Sequence, residues 1–227
     1  MTESMAELNQ QSRHFITRKG PLYLGAALAV AIAMYGIAFP IILPSMEDDF
    51  HRRYLDMSQV LIFMHVVGAG VALLIAPLQF MIYRKNRILH RYLGRLYCLA
   101  VVISSIGGYY MAWHAFGGVV STVGLATLCT LWWSFTLLAV NHARNGNIAA
   151  HREWMIRSFA LTYAAVTLRL MSPPLASVLD EVTTSQTVYW LSWSFNLAVA
   201  QYWISSRKED VIERSGITFR AVTGGAE

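Results

Sequence analysis

The sequence carries little charge: charged residues make up 14% of its 227 residues, whereas 56% are hydrophobic. A soluble domain carries about 25% charged residues, so most of this chain does not face water. Six windows are apolar over about 20 residues, the length that crosses a hydrocarbon core. They are residues 21–43, 59–83, 94–116, 119–143, 155–175 and 187–206. The sequence therefore predicts an all-α integral membrane protein, a bundle of six transmembrane helices within residues 21–206 and no soluble domain.

Cysteine is scarce, and acidic residues are missing from the predicted spans. Cys98 and Cys129 have neither a second cysteine nor a histidine at a metal-motif spacing, so no disulfide framework is indicated. A carboxylate proton relay lacks its parts, because no Asp or Glu lies within a span. The chain has no HExxH motif, phosphate-cradling loop or nucleophile elbow. Whether the protein is an enzyme stays open.

The positive charge is unevenly distributed, although the formal net charge is only +5. Fifteen of the 18 Lys and Arg residues fall on one side of a six-span arrangement, and only Arg52 and Arg53 fall on the other. This is the positive-inside pattern, so we expect the polar tails 1–20 and 207–227 to be cytoplasmic and the protein to lie in the cytoplasmic (inner) membrane. A nucleic-acid partner is not expected, since that would need a basic face with interleaved aromatics outside the bilayer.

Two histidines are candidate cofactor ligands. His90 and His151 both begin odd-numbered spans, which run parallel, so their depths should match. Haem needs two axial ligands at one depth on facing helices. The pair is thus a candidate bis-histidine site for haem b, with Arg91, Arg95 and Arg152 available to the propionates. In the alternative interpretation both histidines cap helices or stay hydrated in the loops, and no cofactor is bound.

Three further polar residues lie inside predicted spans. Arg169 is deep in the fifth span, and an intramembrane arginine marks a functional site by default, unless it extends outward to water. His65 lies toward the outer side, near the expected depth of Arg169, beside Gly68. It either leaves room for a flat ligand or makes an interhelical hydrogen bond. With Gln79, nearer the inner boundary, these residues form a predicted polar set: His65, Gln79 and Arg169.

The two basic loops resemble each other. RKNRILHR and RNGNIAAHR both place Arg, then Asn, then His-Arg before an odd-numbered span, 60 to 61 residues apart. The hairpins formed by spans two–three and four–five are therefore candidates for duplicated units.

Three strings carry a family resemblance: HVVGAGVALLIAPLQF, HRYLGRLY and HREWMIRSFALTYAAVTLR. In this order and spacing they resemble the prokaryotic membrane proteins of the domain-of-unknown-function 2306 family, over about residues 60–205. The resemblance implies a multi-pass membrane protein and no particular reaction. It marks these positions: His65, Gln79, His90, Arg91, Gly94, Arg95, His151, Arg152, Met155, Arg157 and Arg169.

More distantly, the layout is similar to that of six-helix diheme b-type cytochromes, in which histidines on alternate spans pair. His90 and His151 fit one such pairing. The second would need an outer histidine on span four, which has only the inner His142, so the resemblance does not support two haems and leaves one haem open. Four-span assembly factors for haem-copper oxidases are equally distant.

The leading hypothesis is a haem-binding or quinone-linked electron-transfer protein whose partners are a quinone or a respiratory complex. The alternative is a non-enzymatic assembly or interaction factor, or a small-solute transporter. In that alternative the intramembrane polar residues make interhelical hydrogen bonds.

Overall fold

The structure, a computed structural model, describes residues 24–45, 57–83 and 85–215. These residues form seven α-helices, and a short 3-10 turn, Leu43–Ser45, follows the first. The helices are α1 Leu24–Ile42, α2 Gln59–Ile82, α3 Arg87–Trp113, α4 Gly118–Arg144, α5 Ile148–Thr162, α6 Ala164–Ala176 and α7 Glu181–Ser215. The predicted all-α class is confirmed. The N-tail and residues 216–227 of the C-tail lie outside the described residues.

Helices α1 to α4 are long and apolar enough to cross a membrane. The predicted fifth span is divided at Tyr163 into α5 and α6, each too short to cross alone. Helix α7 is 35 residues long and continues past the predicted sixth span, but its Ser, Thr, Trp and Tyr residues lower its hydropathy. The chain is thus a multi-pass membrane protein, while the count of six spans and the cytoplasmic termini stay predictions.

An asparagine N-cap precedes each of the two helices that carry the candidate ligands. The Asn86 side chain accepts a hydrogen bond from the Leu89 amide at 2.9 Å, and the Asn147 side chain accepts one from the Ala150 amide at 3.0 Å. An N-cap asparagine satisfies one of the free amides of a first helical turn. Because of this cap, α3 begins seven residues before its predicted apolar span. We call this end of the bundle, where α3 and α5 begin, the basic end.

Small residues bring α2 and α3 close together. A methyl group at Gly107 would collide with the Leu61 carbonyl oxygen and would lie 2.8 Å from the His65 amide nitrogen. A methyl group at Gly68 would lie 3.0 Å from the Ala100 carbonyl oxygen. Close backbone approach at small residues is typical of helix pairs in membranes. The two helices therefore pack as one hairpin.

The largest apolar cluster joins α2, α3, α4, α5, α6 and α7. Its buried members are Ala72, Ile75, Ala76, Tyr97, Ala100, Val101, Trp132, Leu161, Ala164 and Trp193. A second cluster attaches α1 through Ala29 and Ala33, which pack against Leu73 and Val166.

A buried polar network lies within the main cluster. The Tyr97 hydroxyl contacts Ser158 Oγ at 2.8 Å and Thr162 Oγ1 at 2.7 Å, which joins α3 to α5. The Trp132 indole donates to Thr162 Oγ1 at 2.9 Å, and Thr136 Oγ1 lies 2.7 Å from Ser158 Oγ, which joins α4 to α5. Three helices are thus held by one set of five side chains.

The network uses all of its protons internally. Four hydroxyls and one indole supply five donor hydrogens. Besides the four contacts between side chains, Thr136 reaches the Trp132 carbonyl at 2.8 Å and Thr162 reaches the Ser158 carbonyl at 3.0 Å. Six contacts therefore compete for five hydrogens, so no donor remains for a ligand. The contacts of the network join the three helices, and it offers a ligand no free donor.

Replacing Tyr97 by Phe should lower the free energy of unfolding by about 1–2 kcal/mol, because Ser158 and Thr162 both lose a buried partner. The matched control is Tyr109→Phe on the same helix. Its hydroxyl also has two partners, Thr130 and Trp133, but the side chain is 38% exposed. Unfolding of both purified variants in detergent measures the difference, and equal losses would contradict the role assigned to the network.

Candidate functional site

The buried network sets the register between α3 and α5. Tyr97 and Ser158 are 61 residues apart, and so are the two N-cap residues Asn86 and Asn147. His90 and His151 have the same separation, and each lies seven residues, about 10 Å, before its network residue. The two histidines therefore have matching positions relative to the network, which is what equal depth requires. Their function as ligands stays a prediction.

The two histidine rings are near each other, and at least one is oriented by the fold. His90 and His151 are close enough for the charge of one to act on the other. The His151 Nδ1 lies 2.9 Å from the Ala139 carbonyl oxygen. A carbonyl only accepts, so Nδ1 carries the hydrogen and Nε2 keeps a lone pair. This is the orientation in which histidines bind metals in proteins.

Gln79 belongs to the same corner of the bundle. Its Nε2 donates to the His90 carbonyl oxygen at 3.1 Å, and its side chain is buried. Its Oε1 and the Nδ1 of His90 are both buried and have no hydrogen-bond partner within the described part of the chain. Buried polar atoms are normally bonded to protein, water or a ligand. The corner between α2 and α3 therefore has unmet capacity to bind a water or a ligand.

The three predicted propionate partners, Arg91, Arg95 and Arg152, lie on α3 and α5 at this end of the bundle. The Arg95 guanidinium lies 5.7 Å from the Tyr92 ring centroid, and that of Arg152 lies 5.8 Å from the Tyr83 ring centroid. None of these three arginines forms an ion pair with a residue in the described ranges. Their positive charge is therefore available to an anionic group bound at the basic end.

No cluster of three or more His, Cys, Asp or Glu residues is placed to hold a metal ion in the part of the chain that the structure describes. A bis-histidine haem takes only two ligands from the protein, so the absence of a three-residue cluster from the described residues does not test haem binding.

His65 makes an interhelical contact at a different depth. Its Nδ1 lies 2.9 Å from the Ser104 carbonyl oxygen, and Ser104 Oγ donates to the His65 carbonyl oxygen at 2.8 Å. The ring lies against Gly108, where a methyl group would be 2.9 Å from its Nδ1. This reciprocal pair joins α2 to α3. It matches the interhelical alternative stated for His65.

Arg169 lies near His65 but is exposed. Its charge is close enough to act on the His65 ring. Its NH1 donates to the Ala165 carbonyl oxygen at 3.0 Å, and the guanidinium lies 5.8 Å from the Tyr35 ring centroid on α1. Gln79, by contrast, is 14 residues along α2 from His65, about 21 Å. The structure thus places the predicted polar set in two groups: His65 with Arg169, and Gln79 with His90.

Sequence reasoning missed two groups of polar residues. The buried network was not identified, although Trp132 and Thr136 are four residues apart, as are Ser158 and Thr162. That spacing puts each pair on one helix face and was a usable signal. The second group links α5 to α7: Glu153 to Lys208, and Arg157 to Gln201. It left no signal, because the partners are 44 and 55 residues apart.

Replacing His65 by Leu should reduce stability by about 1 kcal/mol, because the Ser104 carbonyl loses its donor within the bundle. His114→Leu is the matched control, since within the described residues the His114 ring, just after α3, bonds only to the Tyr110 carbonyl of α3, at 2.9 Å. Thermal unfolding of both variants measures the effect. An equal or larger loss for His114→Leu would show that the His65 contact does not join the two helices.

Comparison with known proteins places the chain in one family. Neither the curated proteins nor the solved structures that were compared gave a match. Residues 62–204 match the family described as Predicted membrane protein (DUF2306), and this range covers more than half of the chain and includes both candidate ligands. The chain is therefore a multi-pass membrane protein of the DUF2306 family.

Proposed function

We propose that this protein binds haem b between His90 and His151 and transfers electrons within the membrane. The observation that carries the proposal is a shared spacing: the 61 residues that separate Tyr97 from its partner Ser158 also separate the two histidines. Two facing histidines at one depth are what a haem between parallel helices requires.

The residues present fit such a group. His151 is oriented by its hydrogen bond to Ala139, which leaves Nε2 for iron. The buried Nδ1 of His90 and the buried Oε1 of Gln79 have unmet hydrogen-bonding capacity. Arg91, Arg95 and Arg152 would neutralise the propionates. Bound at two histidines, haem iron supplies one-electron oxidation and reduction. A quinone or a respiratory complex of the cytoplasmic membrane is the proposed electron partner.

The second candidate is a non-enzymatic assembly or interaction factor, supported by the reciprocal His65–Ser104 pair and the closed hydroxyl network, both of which only join helices. Transport has less support. A transporter site is formed where a helix unwinds near mid-membrane. The interruption at Tyr163 is one residue with helical dihedral angles, φ −70° and ψ −11°. Pro77 lies within the continuous helix α2.

The absorption spectrum of the purified protein, oxidised and then reduced with dithionite, tests the proposal first. We expect a Soret band that shifts and sharpens on reduction, at about one haem per chain. His90→Ala and His151→Ala should each lose the haem and still insert into the membrane. The matched control, His142→Ala, removes another histidine at the basic end and should keep it.

A further variant separates ligation from folding. His151→Met should keep haem with altered ligation and a raised reduction potential, since methionine in place of histidine raises the potential of haem iron. If His90→Ala and His151→Ala both keep full haem, the ligand pair is wrong. If protein from haem-supplemented cells shows no Soret band, the assembly or interaction factor becomes the preferred function.

A further inference from the structure

A groove between α4, α5 and α7 is a candidate site that shares no residue with the proposed haem site. It has a volume of about 450 Å³. Its walls are mostly aromatic and aliphatic, and a guanidinium and an amide are its main polar groups. The lining includes Phe135, Trp154, Arg157, Trp193, Leu197 and Gln201.

Arg157 has hydrogen-bonding capacity that the described residues do not use. Its Nε and NH2 donate to the same oxygen, Gln201 Oε1, at 3.2 and 2.8 Å. Its NH1 lies 3.9 Å from the Glu153 carboxylate, too far for a hydrogen bond. A guanidinium has five N–H groups, so three remain without an acceptor of good geometry. The side chain is only 16% exposed, and it packs 4.8 Å from the Trp154 ring centroid.

Trp193 adds a further unmet donor. The residue is 7% exposed, and its indole Nε1 is buried without a hydrogen-bond partner in the described ranges. Two other polar side chains of the lining already have acceptors: Ser194 donates to the Trp190 carbonyl at 2.8 Å, and Gln201 Nε2 donates to Ser205 at 3.4 Å. The unmet groups of Arg157 and Trp193 are all donors. The ligand that fits must therefore supply acceptor oxygens.

The charge of Arg157 and its position along α5 limit the class of ligand that fits the groove. The Glu153 carboxylate is shared between two cations and does not fully neutralise Arg157. Lys208 lies closer to it than Arg157 does, at 2.8 Å. Arg157 is nine residues, about 14 Å, from the start of α5 at the basic end. Trp203, with the Arg207 guanidinium 4.4 Å from its ring centroid, lies on α7 between Gln201 and Lys208, the partners of Arg157 and Glu153. Tryptophan is enriched at the headgroup level of a bilayer, which indicates that the groove reaches that level.

We propose that this groove binds an anionic membrane glycerophospholipid. Its phosphate would accept from Arg157, a deeper ester carbonyl would accept from Trp193, and an acyl chain would cover Phe135 and Leu197. Charge-assisted guanidinium–phosphate bonds are among the strong hydrogen bonds in proteins. A zwitterionic lipid offers the same phosphate without net charge, so it should bind more weakly. This proposal does not depend on the haem site.

Native mass spectrometry of the full chain in detergent tests the proposal, with dioleoyl phosphatidylglycerol and dioleoyl phosphatidylcholine as probes. We expect one saturable phosphatidylglycerol per chain and weaker binding of phosphatidylcholine. Arg157→Gln should weaken phosphatidylglycerol binding at least about tenfold. Trp193→Phe keeps the ring, removes only the N–H and should weaken binding by about threefold. The Trp193→Phe variant still tests the proposal if Arg157→Gln fails to fold.

Arg87→Gln is the matched control, since it removes an exposed arginine at the same end of the bundle and outside the groove. It should bind phosphatidylglycerol like the wild type. Unchanged binding in both groove variants would overturn the proposal, as would an equal loss in Arg87→Gln or equal binding of the two lipids. A quinone that occupies the groove in place of phospholipid would also overturn it. Haem content measured on the same samples keeps this result separate from the haem test.

Discussion

The hydrogen-bonded network around Tyr97 is the interaction on which the rest of the bundle depends. A membrane interior offers no hydrophobic driving force between helices, so packing and interhelical hydrogen bonds must supply their specific association. Here one tyrosine, one tryptophan and three hydroxyl side chains fix α3, α4 and α5 to one another, and all their hydrogens are used. If one of the three helices slid along another, donors and acceptors of the network would separate and buried polar groups would be left unsatisfied.

That constraint extends to both ends of α3 and α5. Tyr97 lies between Ser158 and Thr162, one turn apart on α5, so the level of α3 against α5 is fixed to within one helical turn. The N-caps Asn86 and Asn147 and the candidate ligands His90 and His151 have the same 61-residue separation as Tyr97 and Ser158. The duplication of the two hairpins stays a prediction.

The two proposed sites involve different residues of α5. His151 bonds through its ring to Ala139 of α4. Arg157 bonds to Gln201 of α7 and lines the groove. The unmet atoms at Gln79 and His90 are an acceptor oxygen and a ring nitrogen, whereas those of Arg157 and Trp193 are donors, so the two proposals call for different ligands. Both proposed sites use residues of α5, the helix that Ser158 and Thr162 join to the network.

The sequence by itself determined the helical class and the apolar character of the segments, because these follow from composition and segment length, which are properties of single segments. The matched depth of His90 and His151 stays a prediction. The sequence put Gln79 near the inner boundary but grouped it with His65 and Arg169, and only packing placed it beside His90. The sequence did not identify Tyr97, Arg157 or Trp193 as polar partners, because their contacts join residues 44 to 65 positions apart or are unmet donors that only burial reveals. Only the tertiary structure decided these points, since whether a buried donor has an acceptor depends on which helices meet and in which register.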